Sequence, residues 1–214
     1  MDTREIRLRT VVAAGILVLG VEGLMRMAVT ATVLPAIAVM AAGRCVQTVL
    51  MLGAVVLFEH TLAVVGLYRS FIGRGVRAGV AWSVGFGGVV SIGGVGLMVG
   101  GINPLGFFSI HPLGPTWEVG LFYFTGAALA PIAEEVLFRG MVYGYFRRFG
   151  VVRAIVITTV VFTALHLTTT TVPIIQAVGG ILFCIAYEKE KNLMVPIVIH
   201  MMGNGAIFLA GLVP

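Results

Sequence analysis

Three stretches of the sequence combine ionisable or amide side chains with apolar neighbours. The first holds Glu134 and Glu135, the second holds His166, and the third holds His200 with Asn204 one helical turn later. A carboxylate, two imidazoles and a carboxamide can activate a water molecule and stabilise an oxyanion, as amide hydrolysis without a covalent intermediate requires. The same carboxylate and imidazoles could instead hold a divalent metal ion with an open coordination position.

Glu135 has a local partner that Glu134 lacks. Glu135 and Arg139 are spaced i,i+4, so on a helix they share a face and can neutralise each other. Glu134 then projects from a different face without a local counter-charge, either as a protonated side chain or as a general base or metal ligand. His200 and Asn204 are also spaced i,i+4 and can address one small ligand together. The sequence contains no His-Glu-x-x-His zinc motif.

The spacing of these residues from the basic loops indicates that they lie at similar depth in a membrane. Glu134, His166 and His200 lie 13, 13 and 9 residues from the basic loop residues that border their spans. At the rise of an α-helix these separations are roughly 20, 20 and 14 Å. Three helices that run in alternating directions would therefore bring these groups together, which predicts one converged site.

The elements that must position this site are membrane helices. Of the 214 residues, 59% are hydrophobic and 11% are charged, whereas a soluble domain carries roughly 25% charged residues. We predict an all-α, polytopic transmembrane helix bundle of about seven spans, or eight if residues 28–44 also cross the membrane. The predicted spans are 10–27, 45–68, 78–101, 119–146, 154–171, 173–187 and 193–213.

The basic residues predict how the chain is oriented. With seven crossings, the loops on the side of the N-terminus hold eleven Lys and Arg residues, and the other side holds two, Arg26 and Arg44. This bias places the N-terminus in the cytoplasm. It also explains the net charge of +5 without nucleic acid as a partner.

Three further features favour structural interpretations. Glu22 and Arg26 are spaced i,i+4, which predicts a local ion pair. Gly96 and Gly100 form a G-x-x-x-G motif, which predicts close helix packing. Glu59 has no partner at helical spacing, so we expect at most a supporting role for it.

The order and spacing of the three motifs resemble the CAAX prenyl endopeptidase type II family, also called the CAAX protease and bacteriocin-processing (CPBP) or Abi family. The motifs are Glu134-Glu135-x-x-x-Arg139, Phe162-x-x-x-His166 and His200-x-x-x-Asn204, and the resemblance covers about residues 117–210. It divides the chain into 1–116, N-terminal transmembrane helices of unassigned role, and 117–214, a protease core. The site lies in this C-terminal four-helix core.

The resemblance implies a role for each motif residue. Glu134 is the water-activating base and His166 assists it. His200 and Asn204 form the oxyanion hole. The supporting residues are Glu135, Arg139 and Phe162.

The family is often labelled metalloprotease, but no cofactor is favoured for this chain. Once Glu135 is tied to Arg139, no thiolate or second carboxylate completes a strong set of metal ligands. The alternative is a divalent metal such as zinc, held by Glu134, His166 and His200.

The function predicted by the resemblance is a glutamate-type intramembrane endopeptidase in a prokaryotic cell membrane. Its partners are the lipid bilayer and a membrane-anchored peptide or protein substrate; the sequence indicates no oligomeric state. Candidate substrates are prenylated C-terminal tails, bacteriocin-like leader peptides and hydrophobic C-terminal sorting signals. The alternatives are a proton-coupled transporter that uses Glu134 and the histidines as a relay, and a non-catalytic membrane scaffold.

Overall fold

The computed structural model describes residues 5–104, 112, 114–167 and 173–212. Without any strand, these residues form seven helices: α1 (Leu8–Ala31), α2 (Ala36–Glu59), α3 (Ile72–Val99), α4 (Thr116–Phe149), α5 (Val151–Ala164), α6 (Ile174–Glu190) and α7 (Met194–Ala210). The short 3₁₀ turns Leu62–Val65 and Arg69–Phe71 precede α3. The all-α bundle is confirmed. The predicted span ends at 171 and 213 lie outside the described residues.

Four segments are long and apolar enough to cross a membrane. They are α1, α2, Leu62–Val99 and α4. A helix of 24 residues, such as α1, is about 36 Å long at 1.5 Å per residue and so exceeds a hydrocarbon core of about 30 Å. Large apolar side chains of α1, including Ile16, Leu19 and Leu24, point away from the protein. The chain is an integral membrane protein.

Residues 28–44 do not form an additional crossing. Helix α1 continues to Ala31, a short turn ends at Pro35, and α2 begins at Ala36. The second helix therefore starts nine residues before the predicted position 45. The sequence does not mark this start, because the turn between the two helices is too short and too apolar to lower the hydropathy. Arg26 and Arg44 consequently lie within α1 and α2 rather than in a loop.

Glu59 caps the beginning of α1. Its carboxylate accepts a hydrogen bond from the Arg7 backbone N–H at 3.0 Å and another from the Thr10 hydroxyl. The free N–H groups and the dipole at a helix N-terminus favour such a negative charge. Glu59 therefore ties the end of α2 to the start of α1, a contact between distant parts of the sequence that helical spacing does not reveal.

Helices α3 and α7 pack closely at glycines other than those predicted. A Cβ at Gly79 would lie 2.6 Å from the Cβ of Val198, and one at Gly75 would lie 2.5 Å from the Asn192 side chain. Around Gly96, by contrast, nothing lies within 4 Å of a Cβ position. The prediction that Gly96 packs against another helix is therefore wrong for the described chain.

Helix α4 is widened by π-helical turns on both sides of its paired carboxylates. The π-helical stretches are Thr125–Leu129 and Val136–Tyr143, and the α-helical segment Ala130–Glu135 lies between them. Pro131 gives a reason for the first, since proline has no N–H and its ring clashes with the carbonyl four residues earlier. Such π-helical turns often occur at functional sites.

Basic residues from two helix ends, Arg147 and Lys191, meet at Glu188. Glu188, just beyond the predicted span 173–187, accepts hydrogen bonds from Tyr143 at 2.7 Å and from Arg147 at 2.8 and 2.9 Å. Lys191 lies 2.6 Å from the same carboxylate. Burial would raise the pKa of the Glu188 carboxyl, but these three hydrogen-bond partners outweigh burial and lower it to about 2. The cluster joins α4 to α6.

Candidate active site

A fully buried ion pair lies at the centre of the site. Arg139 Nη1 donates to Glu135 Oε1 at 2.8 Å, and both side chains are 0% exposed. The same Glu135 oxygen lies 2.7 Å from His200 Nδ1. Because a carboxylate oxygen accepts, His200 donates its Nδ1–H to Glu135. The predicted Glu135–Arg139 pair is confirmed, and it holds a histidine of α7 in one orientation.

Aromatic rings and a backbone carbonyl enclose the Arg139 guanidinium. Its Cζ lies 4.8 Å from the ring centre of Phe162 and 4.9 Å from that of Phe183, and Nη2 donates to the Gly180 carbonyl at 3.1 Å. Phe183 also stacks on His200, with the ring centres 4.7 Å apart. Phe162 thus contacts the pair from α5. Phe183 of α6 carries no sequence signal beyond being aromatic.

Glu134 points away from this buried pair into a cavity. Its side chain is 25% exposed, and Oε2 lies 3.8 Å from His200 Nε2. The cavity has a volume of about 560 Å³ and is lined by α1, α2, α4 and the end of α5. Neighbouring carboxylates on one helix therefore point in different directions, and His200 lies against both of them with its two ring nitrogens.

His166 lines the same cavity as Glu134. It lies just after the last residue of α5, and its Nδ1 is 2.8 Å from the Phe162 carbonyl oxygen. A carbonyl oxygen only accepts, so Nδ1 carries the hydrogen. The ring also packs on Phe162 at 4.6 Å between centres. His166 consequently presents Nε2 as the nitrogen available for chemistry.

Asn204 lies one turn beyond His200 on α7, and its described hydrogen bond goes to α4. Nδ2 donates to the Gly126 carbonyl at 2.8 Å, within the first π-helical stretch. A carboxamide nitrogen has two N–H bonds, and this contact uses one of them. His200 thus contacts both Glu134 and Glu135. His166 lines the same cavity as Glu134, and Asn204 lies one turn beyond His200 on α7.

The wall of the cavity that α1 and α2 provide carries a cluster of polar side chains. Arg44 Nη1 lies 2.5 Å from Glu22 Oε1 and donates to Gln47 Oε1 at 2.6 Å. Gln47 in turn donates to Glu22 at 3.1 Å. The predicted Glu22–Arg26 pair is wrong, because α2 begins early enough to bring Arg44 beside Glu22. Arg26 lines the cavity instead.

The described side chains do not form a metal-binding set. Within residues 5–104, 112, 114–167 and 173–212, no three His, Cys, Asp or Glu side chains are close enough to hold an ion together. The separation of 3.8 Å between Glu134 Oε2 and His200 Nε2 is consistent with this. The alternative set of Glu134, His166 and His200 therefore does not fit a metal in this arrangement.

Comparison with known proteins finds similarity in the C-terminal part of the chain. Residues 115–206 match the family model described as type II CAAX prenyl endopeptidase Rce1-like. The membrane-embedded CAAX protease MroQ of Staphylococcus aureus (strain USA300) is 27% identical over 99 residues. The predicted family resemblance is confirmed. No solved structure matches the chain.

The CAAX protease match covers part of each protein. The aligned stretch is 43% of this chain, and the chain spans 40% of the length of MroQ. All predicted site residues, from Glu134 to Asn204, fall within the Rce1-like segment 115–206. The segment excludes α1 and α2, which supply the polar wall of Glu22, Arg44 and Gln47.

Proposed function

We propose that this protein is an intramembrane endopeptidase in which Glu134 activates the hydrolytic water. The observation that carries the proposal is the position of Glu134. It is the member of the carboxylate pair that faces the cavity, which His166 also lines, and it lies 3.8 Å from His200 Nε2. A base must reach both its water and the substrate carbonyl. The Rce1-like match of the same residues supports a protease rather than a proton-coupled transporter or a scaffold.

In the proposed reaction, Glu134 removes a proton from water as the water oxygen bonds to the scissile carbonyl carbon. His166 assists by orienting this water through Nε2. The carbonyl oxygen becomes an oxyanion, and when the C–N bond breaks Glu134 returns the proton to the departing amine nitrogen. Every proton removed is therefore delivered to a product, and no covalent enzyme intermediate forms.

His200 and Asn204 are the proposed donors to the oxyanion. In this role His200 is protonated on both nitrogens, with Nδ1–H on Glu135 and Nε2–H directed at the oxyanion, and Asn204 uses the N–H that Gly126 leaves free. Removal of one such donor typically costs about 10²–10³ in kcat. Glu135, Arg139 and Phe162 act as positioning residues, because their contacts are with His200 and with one another.

The proposed substrate is a peptide or protein segment anchored in the membrane. The cavity opens among helices that are long enough to span the bilayer, so a substrate that is already in the membrane can reach it laterally. The relative MroQ is a membrane-embedded CAAX protease, which supports this substrate class. We further propose a prokaryotic cell membrane as the location, with the N-terminus in the cytoplasm.

A cleavage-product search tests the activity. Membranes that contain the wild-type protein or Glu134→Gln are compared by mass spectrometry for new peptide termini. We expect termini that form with the wild type and disappear with Glu134→Gln. Glu118→Gln is the matched control, because it makes the same change on α4 in the first turn of that helix. Identical termini in the wild-type and Glu134→Gln membranes would contradict the proposal.

The purified protein then tests the metal-free mechanism. Cleavage of a peptide found in the search should proceed at the same rate after dialysis against a chelator. Loss of activity with the chelator, followed by recovery on addition of zinc, would refute the metal-free form and leave the protease assignment intact.

A further inference from the structure

The cavity carries a cationic group that the proposed reaction does not use. Arg26 lines the cavity from α1. Its backbone carbonyl accepts from Thr30, but within the described residues its guanidinium makes no hydrogen bond or ion pair. An arginine inside a membrane helix is costly unless it is paired, reaches water at the interface or serves a function. Arg26 lies five residues before the end of α1, and its side chain is exposed.

Arg44 is a second cation on the same wall, and its orientation is fixed. Its hydrogen bonds to Glu22 and Gln47 both use Nη1, at 2.5 and 2.6 Å. Gln47 is itself 2% exposed and also donates to the Val18 carbonyl. Nη2 and Nε of Arg44 therefore remain for another acceptor, and the planar guanidinium is already held in place for it.

The charges on this wall do not cancel. Arg26 and Arg44 supply two positive charges and Glu22 supplies one negative charge, so the wall is cationic by one unit. A guanidinium binds a carboxylate strongly and with defined geometry, often through two parallel hydrogen bonds. A cavity of about 560 Å³ lies within the usual range for a small-ligand site, roughly 300–1,000 Å³.

We propose that Arg26 and Arg44 bind a carboxylate group of the substrate. This inference rests on the proposed function, because it assigns the substrate class of the same cavity. The carboxylate is either the free C-terminus of the peptide or an acidic side chain. Its capture on the α1–α2 wall fixes which peptide bond reaches Glu134. The Rce1-like match begins at residue 115 and does not include this wall.

Binding to a catalytically silenced protein tests this inference without depending on cleavage. Full-length Glu134→Gln protein in lipid nanodiscs is titrated with three palmitoylated hexapeptides. One has a free C-terminus, one has an amidated C-terminus, and one has an amidated C-terminus and an internal glutamate. We expect at least one carboxylate peptide to bind about tenfold more tightly than the neutral peptide, a difference of about 1.4 kcal/mol. The two carboxylate peptides distinguish the two sources.

Substitutions on the wall should remove this preference. Arg26→Gln, added to Glu134→Gln, should bring the carboxylate and neutral peptides within threefold of each other. Glu22→Gln with Arg44→Gln serves as a second variant, because it removes both charges of the ion pair and leaves neither one unpaired. Arg74→Gln, an exposed arginine of α3 outside the cavity, should leave the preference unchanged.

Two results would overturn the inference: equal binding of all three peptides to Glu134→Gln, or a preference that survives in both wall variants. Neither result bears on the endopeptidase proposal, which the cleavage-product search decides separately. Conversely, a carboxylate preference in a protein that cleaves nothing would support the binding wall and reject the protease.

Discussion

Glu134 and Glu135 are adjacent in the sequence but have different environments, because successive residues of a helix point about 100° apart. Glu135 is fully buried against Arg139 and His200, whereas Glu134 faces the cavity. The i,i+4 spacing of Glu135 and Arg139 was sufficient to predict this division. The contact of His200 with Glu135, 65 residues away, could not be predicted, because local spacing says nothing about which helices meet.

Glu135→Gln should destabilise the protein. It leaves the fully buried Arg139 without its counter-charge, and the loss of one partner of a buried pair costs about 3–5 kcal/mol. Thermal unfolding of the purified protein in detergent measures the effect. Glu135→Gln with Arg139→Met should be less destabilised than the single variant, since no buried charge remains unpaired. A wild-type Tm for Glu135→Gln would contradict the structural role given to this pair.

Asn204→Asp should reduce kcat and leave KM nearly unchanged. Aspartate has the size of asparagine but no N–H bond, so it cannot donate to the oxyanion. We expect kcat to fall about 100- to 1,000-fold, the range for one lost donor. Steady-state kinetics on a peptide from the cleavage-product search provide the measurement. A rise in KM with unchanged kcat would assign Asn204 to substrate binding.

At the scale of elements, glycine spacing was a poor guide to packing. The predicted motif Gly96-x-x-x-Gly100 meets open space at Gly96, whereas Gly75 and Gly79, with the same spacing, contact the 192–198 region. Both pairs have the same local pattern, so only the position of α7 distinguishes them. Hydropathy likewise does not predict the early start of α2 or the π-helical turns of α4, because it varies too slowly along the chain to mark them.

Gly79→Ala and Gly96→Ala form a matched pair on α3. Alanine favours a helix over glycine by about 1 kcal/mol at either position, so the difference between the variants reports packing. At Gly79 the new Cβ would lie 2.6 Å from the Val198 Cβ, and overpacking of this kind costs about 1–3 kcal/mol. We expect a lower Tm for Gly79→Ala and an unchanged or higher Tm for Gly96→Ala. Equal values would show that α3 does not pack on α7 as described.

At the scale of the whole molecule, the Glu188 cluster makes stability depend on pH. The pKa of Glu188 is lowered from 4.5 to about 2 by its partners, against the effect of burial. A lowered pKa stabilises the folded state above pH 4.5, and this contribution is lost as the pH falls toward 2. Glu188→Gln lacks this contribution, so the difference in Tm between wild type and variant should decrease from pH 6 to pH 3. A constant gap would contradict the assignment.

The helix bundle could be predicted from the sequence, but the set of residues that line its cavity could not. Composition and hydropathy predicted seven helices, and three ordered motifs predicted the C-terminal site residues. The division of the chain at residue 117 stays a prediction. The cavity, however, is lined by both sides of that division, with Gln47 and Arg44 from α2 and Glu134 from α4. Such contacts depend on tertiary packing between segments that are far apart in the sequence.

Single-turnover cleavage by reconstituted protein tests whether Glu134 activates the hydrolytic water. Wild type, Glu134→Gln and Glu118→Gln are compared on one peptide from the cleavage-product search, with Tm measured for each. We predict that Glu134→Gln retains the wild-type Tm and cleaves at least about 1,000-fold more slowly, a loss of about 4 kcal/mol in transition-state stabilisation, while Glu118→Gln cleaves normally. Cleavage by folded Glu134→Gln within tenfold of the wild-type rate would contradict the account.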